Sequence, residues 1–600
     1  MHVRTSRWFV IACPPAFEGI IGQAAKREPW RFASALAAVL TLTPAAPARA
    51  QASPPAYDPG QFDQRFSGEQ LDRTSPRQSR LPMPRLAHPA TPPADPTPLF
   101  VLRHISIVGA TAIPRDRFAT AYQSYIGKKV SQADLAAIAA GISDIYRAAG
   151  FHLSRAIVPP QDINDGSVRV QVIEGTITAV DLKGEGAEEF GVRQILAPVL
   201  AEQPSQLATL ERRLLLINGR PGVRIEDTTL EEIGNASGHF RLTVFVKTWH
   251  VYTSFSIDNL GASAVGPWES FATAAYNSAF APGDTLAVNL STTPNDPREL
   301  AFGRLSYDVP IGNDGLRVGA SGTFSEVWPG DYRHAYSDNT TTEAAQLRVS
   351  IVPLQSQRST LTLTTALDIG NVSETDMFGP IYSDRIRTLS LTSDYRLQDN
   401  FGGNNYLSMM WRQGLDILGA SPSDDDFVSH AGASPTFSAL NVWFTRYQTL
   451  TDAWSLKIAG TGQVASGPLY LSQQFYLGGA AFGRGYGAAE TSGDNGMAGS
   501  LELRFDQKLN FKYATGYQLY SFVDSGVAWN AGYRYTDGIS LISVGGGVRF
   551  FLTNNTEADL AIAVPLSYRA PDNPARDVRV LFSLTTAFEL CPARASTSCL

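Results

Sequence analysis

Cysteine is nearly missing from this 600-residue chain, which has three: Cys13 near the start, and Cys591 and Cys599 in the tail. A disulfide framework is therefore excluded, although the tail pair can oxidise in an oxidising compartment. Histidine is also scarce, eight in all, with no His-x-x-x-His pair to hold a metal. Charged side chains make up 18% and the net charge is −7, which argues against a general nucleic-acid binder. No run reaches the roughly eighteen uncharged apolar residues that a transmembrane helix needs. A Gly-x-Ser-x-Gly elbow is missing as well, so neither an enzyme nor a cofactor site is expected. Glycine (51 residues), aromatics (10%), Ser and Thr are plentiful. That balance leaves a soluble protein or a membrane β-barrel, whose alternating spans escape hydropathy windows.

Residues 1–50 read as a secretory signal. Lys26, Arg27 and Arg31 precede an apolar stretch from Phe32 to Leu42, and Ala48-Arg49-Ala50 offers small residues for cleavage. Residues 51–98, rich in Pro, Gln, Ala and Asp, cannot bury a core and read as an extended linker. Within it, 60–73 lacks Pro and sets Phe62 and Phe66 one helical turn apart, a candidate weakly amphipathic helix against plain disorder.

From Phe100 the pattern becomes that of a small α+β domain over 99–175. Val101, Arg103, Ile105 and Ile107 predict one strand face, followed by a helical stretch after Pro114. A second helix opens on the capping-box spacing of Ser131 and Asp134 and carries Leu135, Ile138, Ile142 and Ile145 on one face. Strands Ser154–Val158 and Ser167–Ile173 follow, turned by Asn164-Asp165-Gly166. The same order of strand, two helices and two strands recurs over 176–249, so the region reads as a repeat rather than one larger α+β domain. Beyond 250 helical periodicity vanishes. Alternating runs such as Leu361/Leu363/Thr365/Leu367/Ile369 and Val580/Phe582/Leu584/Thr586/Phe588 continue to 590. At roughly 22 residues per strand and connection they predict about sixteen antiparallel strands. A tail, 591–600, follows the final aromatic.

Several local patterns lead nowhere. Gly184-Glu185-Gly186 lacks a correctly placed third glycine for a dinucleotide turn. Asp424-Asp425-Asp426 lacks calcium-loop spacing and reads as a solvated loop.

Other patterns fall in a telling order. Asp258-Asn259-Leu260-Gly261 stands near the start of the barrel region. Tyr307-Asp308-Val309-Pro310-Ile311-Gly312 comes next, then Pro353-Leu354 with Arg358. Gln474-Phe475-Tyr476-Leu477-Gly478-Gly479 leads to Gly483-Arg484-Gly485-Tyr486 and Gly493-Asp494-Asn495-Gly496, and Phe522-Val523-Asp524-Ser525-Gly526 follows. This series, from about residue 60 to 590, resembles the two-partner secretion (type Vb) outer-membrane transporters, the haemolysin and adhesin exporters with POTRA domains.

The resemblance implies a membrane β-barrel of about sixteen antiparallel strands behind two small α+β POTRA domains in the periplasm. It makes Asp258, Asn259 and Gly261 the motif where the chain joins the barrel. Gly483, Arg484, Gly485 and Tyr486 become the tip of a loop folded into the lumen. Gly483 stands where the family carries Val. Phe522, Asp524 and Gly526 become its wall motif, with Arg484 reaching Asp524. The physics is consistent with this: an arginine inside a barrel needs an acidic partner, and a glycine permits a tight tip.

The implied function is export of a large unfolded exoprotein, captured on POTRA strand edges by β-augmentation and moved without ATP. Folding of the cargo outside would supply the drive. The implied partners are that exoprotein, outer-membrane lipid and the barrel-assembly machinery, around a monomeric barrel. The segment 60–73 matches a pore-plugging helix in position. Rival readings are a barrel-assembly factor, a passive porin, and an outer-membrane enzyme such as a phospholipase, for which no Ser-His pair is visible.

Overall fold

The computed structural model describes residues 83–84 and 95–590, apart from 164, 235–236, 424, 553–554 and 569–574. The stretch read as a signal, most of that read as a linker, the candidate helix at 60–73, Asn164 and the tail 591–600 lie outside the described residues.

In the first small domain, helix Gln132–Ala148 begins as its capping box dictates. Ser131 Oγ accepts the Asp134 N–H at 3.2 Å, and the Asp134 carboxylate accepts the Ser131 N–H at 2.8 Å. Leu135, Ile138 and Ile142 are buried, while Ile145 packs half-buried at the margin of the same cluster. Strand His104–Val108 runs parallel to Ser167–Ile173, which pairs antiparallel with Arg155–Ile157. A parallel pair needs a long crossover, and the helical segments supply it.

The single strand face expected for Val101, Arg103, Ile105 and Ile107 is broken. Pro98–Val101 pairs instead with Lys129–Ser131, and the chain changes partner at Leu102. The Leu102 N–H donates to Lys128 O at 3.0 Å, and the Arg103 N–H to Gly166 O at 2.8 Å. Leu102 is fully buried and Val101 exposed, so the burial of one large side chain overrides the local alternation.

The second domain repeats the topology. Thr176–Lys183 runs parallel to His239–Thr248, with Val223–Glu232 at the antiparallel edge. Helices Val192–Ala201 and Leu207–Asn218 cover a core of Leu196, Leu214, Phe240, Leu242 and Val244. Leu153 of the first domain is buried in this second core, and Arg155 forks onto Glu232 at 2.8 and 2.9 Å.

Sixteen strands then close into a barrel, the first (Val251–Asp258) pairing antiparallel with the last (Arg579–Leu590). Its outer face carries Leu290, Leu305, Leu347 and Val580, each more than half exposed. Its inner face buries Glu502, Asp524 and Ser543. This inversion suits a wall set in lipid.

Short turns, including 278–284, 312–315 and 356–358, form the rim beside the small domains. The long connections, 415–437 and 466–494, lie at the far rim. Helix Leu207–Asn218 docks on the near rim. Arg212 donates to Val352 O at 2.8 Å and Asp314 O at 3.1 Å, and Arg213 donates to Asn313 O at 2.9 Å.

Candidate functional site

The 466–494 connection does not stay at the far rim. A short hairpin, Phe475–Leu477 against Thr491–Gly493, turns it inward. Phe475, Leu477, Phe482 and Tyr486 pack with Ala459, Ala528 and Leu541 of the wall, so apolar burial directs the tip into the lumen.

Gly483 has φ +94, a conformation that would strain any residue with a Cβ and especially a β-branched one. Glycine at 483 therefore has a backbone reason in this chain. Gly485 is required for a different reason than tip flexibility. A Cβ there would stand 2.8 Å from Ser543 Cβ and 2.9 Å from Pro565 N. Tyr486 is buried, and its hydroxyl donates to Ile542 O at 3.1 Å while accepting the Ser567 N–H at 3.1 Å.

Arg484 meets two carboxylates. Its Nε donates to Asp524 Oδ2 at 2.9 Å, Nη2 to Asp524 Oδ1 at 2.8 Å, and Nη1 to Glu502 Oε2 at 2.6 Å. Nη2 also reaches Ser500 Oγ at 3.0 Å, and the Arg484 backbone N–H donates to Asp524 at 3.1 Å. The guanidinium lies over the Phe522 ring, 3.4 Å from its centroid. The period-2 spacing of Phe522, Asp524 and Gly526 puts all three on the inner face. One stacks, one pairs, and the third leaves room: a Cβ at Gly526 would fall 2.6 Å from Leu477 Cδ1.

The sequence reading missed the other half of this cluster. Glu502 also accepts from Arg504 Nε at 2.8 Å and Arg549 Nη1 at 2.9 Å. Arg549 in turn donates to Asp559 at 2.8 Å and lies 4.0 Å from the Tyr520 ring centroid. The available signal was Glu502-x-Arg504, charges alternating with Leu501, Leu503 and Phe505 on a strand whose other face is apolar.

Asp258, Asn259 and Gly261 sit apart from Arg484. They lie where the first strand leaves the wall at the far rim, not where the chain enters it. Asp258 Oδ1 accepts the Leu260 N–H at 2.9 Å. Asn259 bridges to the last strand, its Nδ2 donating to Val580 O at 2.8 Å and its Oδ1 accepting the Phe582 N–H at 2.7 Å. A Cβ on Gly261 would collide with Glu269 at 2.5 Å. Tyr307 donates to Asp284 at 2.7 Å, Gly312 turns with φ +70, and Arg358 reaches Asn400 at 3.1 Å, all near the small-domain rim.

Among the described residues, no His, Cys, Asp and Glu cluster is arranged for a metal ion. Asp425 caps the Phe427 N–H at 2.9 Å. No helix among them is long and apolar enough to cross a membrane.

The profile of the haemolysin secretion/activation proteins ShlB/FhaC/HecB matches residues 241–550, and that of the ShlB-type POTRA domain matches 100–175. The heme/hemopexin transporter protein HuxB of Haemophilus influenzae is 24% identical over 473 residues, covering 75% of this chain and 80% of that protein. The outer membrane transporter CdiB of Dickeya dadantii is 21% identical over 506 residues, covering 80% and 86%. The solved structure of CdiB from Escherichia coli has a similar fold, with TM-score 0.72 at 19% identity, covering 90% of this chain and all of that one (100%).

Proposed function

The chain belongs to the haemolysin secretion/activation protein family, and from that premise we propose that its inward loop, held at Arg484, closes the resting barrel and yields to an unfolded exoprotein. The protein is an outer-membrane transporter of the two-partner secretion type, with its POTRA domains in the periplasm and its barrel spanning the membrane.

The cargo is a large haemolysin- or adhesin-like chain. It is captured in extended form along the edge strands of the POTRA sheets, where main-chain hydrogen bonds give affinity with little sequence demand. Passage needs no ATP. Outer-membrane lipid surrounds the apolar belt, and the barrel-assembly machinery inserts the finished wall.

The observation that carries the reading is the pairing of Arg484 with both Asp524 and Glu502. A buried guanidinium whose three nitrogens all donate to fixed acceptors holds a loop firmly. Yet its partners are ions, which water can solvate again once the lumen opens.

The test is secretion. This protein is co-expressed with a large exoprotein encoded beside it, with and without Arg484→Ala. Cargo in the medium that depends on this chain and falls with the mutation, at equal barrel abundance, is the expected result. Normal insertion with no released cargo, but altered assembly of other barrels, would overturn it in favour of an assembly factor.

A further inference from the structure

The inward loop is fixed at its tip by Arg484, but a second carboxylate holds its base. Asp494, the last residue before the strand Asn495–Phe511, is fully buried at the outer mouth. Its Oδ1 accepts the Leu469 N–H at 2.8 Å and Gln474 Nε2 at 3.2 Å, both from the first half of the same loop. Its Oδ2 accepts the Ala531 N–H at 2.8 Å, from the 530–538 connection. His430 Nδ1, from the 415–437 connection, stands 3.5 Å from Oδ1 and 2.9 Å from Leu469 O. One side chain thus gathers three separate outer connections. The Asp494 carbonyl also accepts Gln463 Nε2 of the wall at 3.0 Å.

We propose that Asp494 is a positioning residue for transport: it knots the base of the inward loop to the two neighbouring outer connections, and so aims the tip at Asp524 and Glu502. The proposal rests on the reading of that loop as the closure of the resting barrel. Asp494 touches neither Arg484 nor the lumen path. The short hairpin of Phe475–Leu477 with Thr491–Gly493 joins knot to tip, so a tilt at the base is passed to the tip. A neutral amide at 494 turns a donor toward backbone N–H groups that need an acceptor, and alanine leaves them unanswered in a buried place. The charge environment agrees. The hydrogen bond it donates to Asp494 holds the His430 imidazole above its usual range. Burial alone would raise Asp494, but His430, Ala531 and Leu469 together keep it below the ordinary carboxylate range.

The experiment uses the full chain with its three cysteines replaced by serine and spin labels at Ala481→Cys, exposed near the tip, and Tyr533→Cys, exposed on the far rim. Distance distributions are measured in detergent for the parent, Asp494→Ala, Asp494→Asn and Arg484→Ala, beside single-channel conductance and a heat-shift assay for the folded barrel. The expected result is a single narrow distance in the parent, lost in both Asp494 variants while the barrel stays folded and its conductance rises. A narrow distance and parental conductance in both Asp494 variants would overturn the proposal. So would failure of both to insert, which would make Asp494 a folding residue. Arg484→Ala separates the two ideas. A parental distance there, with broadening only in the Asp494 variants, sinks the tip lock and keeps the knot.

Discussion

The barrel holds two attached parts in contrasting ways. At the near rim, helix Leu207–Asn218 is fastened by Arg212 and Arg213 donating to main-chain carbonyls of the turns. Leu216 lies against Gly315, and Phe190, His250 and Tyr276 stack with centroids 5.0 and 5.7 Å apart. In the lumen, apolar packing of Phe482 and Tyr486 seats the loop, and side-chain charges pin its tip: Arg484 on Asp524 and Glu502, with Arg504 and Arg549 sharing the glutamate. Apolar stacking has no substitute in water, so the rim joint is costly to part. Ion pairs exchange for hydration when water arrives, so the tip is firm while dry and releasable when wet. The rim joint is built as a permanent arm, and the tip as the movable closure that we propose.

The largest expected effect comes from breaking the second contact. Arg484→Ala leaves two buried carboxylates facing one fewer cation, a loss of about 3–5 kcal/mol where water stays excluded. Cargo release should fall sharply while barrel abundance holds, read by immunoblot of medium against outer membrane. A milder cut in the same contact is Asp524→Asn, which keeps Glu502 as a partner. It should lie between wild type and Arg484→Ala, and an effect as large as that of Arg484→Ala would show Glu502 to be idle.

The first contact is extended into the periplasm by the junction of the two POTRA domains, where acid is the sharper tool. Burial pushes the His152 imidazole down to about 4. The ordinary value is about 6.5, so the unfolded chain takes up its proton first as pH falls. Burial alone would raise Glu174, but hydrogen bonds from Ala112, Thr111 and Tyr146 hold it below its usual range. Both contributions have one sign. The arm keeps its full stability above about pH 6.5, loses the His152 share as pH drops toward 4, and the Glu174 share below that. Chemical denaturation of the whole protein, followed by a probe in the POTRA region from pH 7.5 to 4, should show this fall. His152→Phe should flatten its upper part.

Much of this architecture was legible in the sequence. Helix Gln132–Ala148 was marked by Ser131 and Asp134 at one end and by Leu135, Ile138 and Ile142 along one face, all local signals. The wall was legible because lipid on one side and water on the other impose period 2. The reading failed where a distant partner decides. Val101 and Leu102 trade faces because the chain changes sheets between them. Glu502 was passed over because an inward charge alternates just as a solvated one does, and only the register of the two strands that follow brings Arg549 to it. The two glycines around Arg484 were seen, but not their separate reasons: a positive φ at 483 and a neighbouring strand at 485.

The smallest effect should come from the far end of the barrel seam, where neither charge nor a large apolar contact is at stake. The first strand stops at Asp258, paired with Ser583, while the last strand begins earlier, at Arg579. Asn259 fills the difference. Its backbone N–H donates to Phe582 O at 3.1 Å, and its side-chain amide takes the Phe582 N–H and gives one bond to Val580 O. The amide acts as one more peptide unit in the ladder. Removing it by Asn259→Ala deletes two neutral hydrogen bonds worth about 0.5–1.5 kcal/mol each. Eight backbone-paired positions remain below it, from Val251 with Leu590 to Asp258 with Ser583. The seam should therefore fray at its outer end without opening, visible as faster hydrogen exchange at the Phe582 N–H with secretion near wild type. If Asn259→Ala instead abolished secretion in a folded barrel, the releasable part of this protein would be its seam rather than its loop, and the contrast drawn between rim joint and lumen lock would have to be redrawn around that edge.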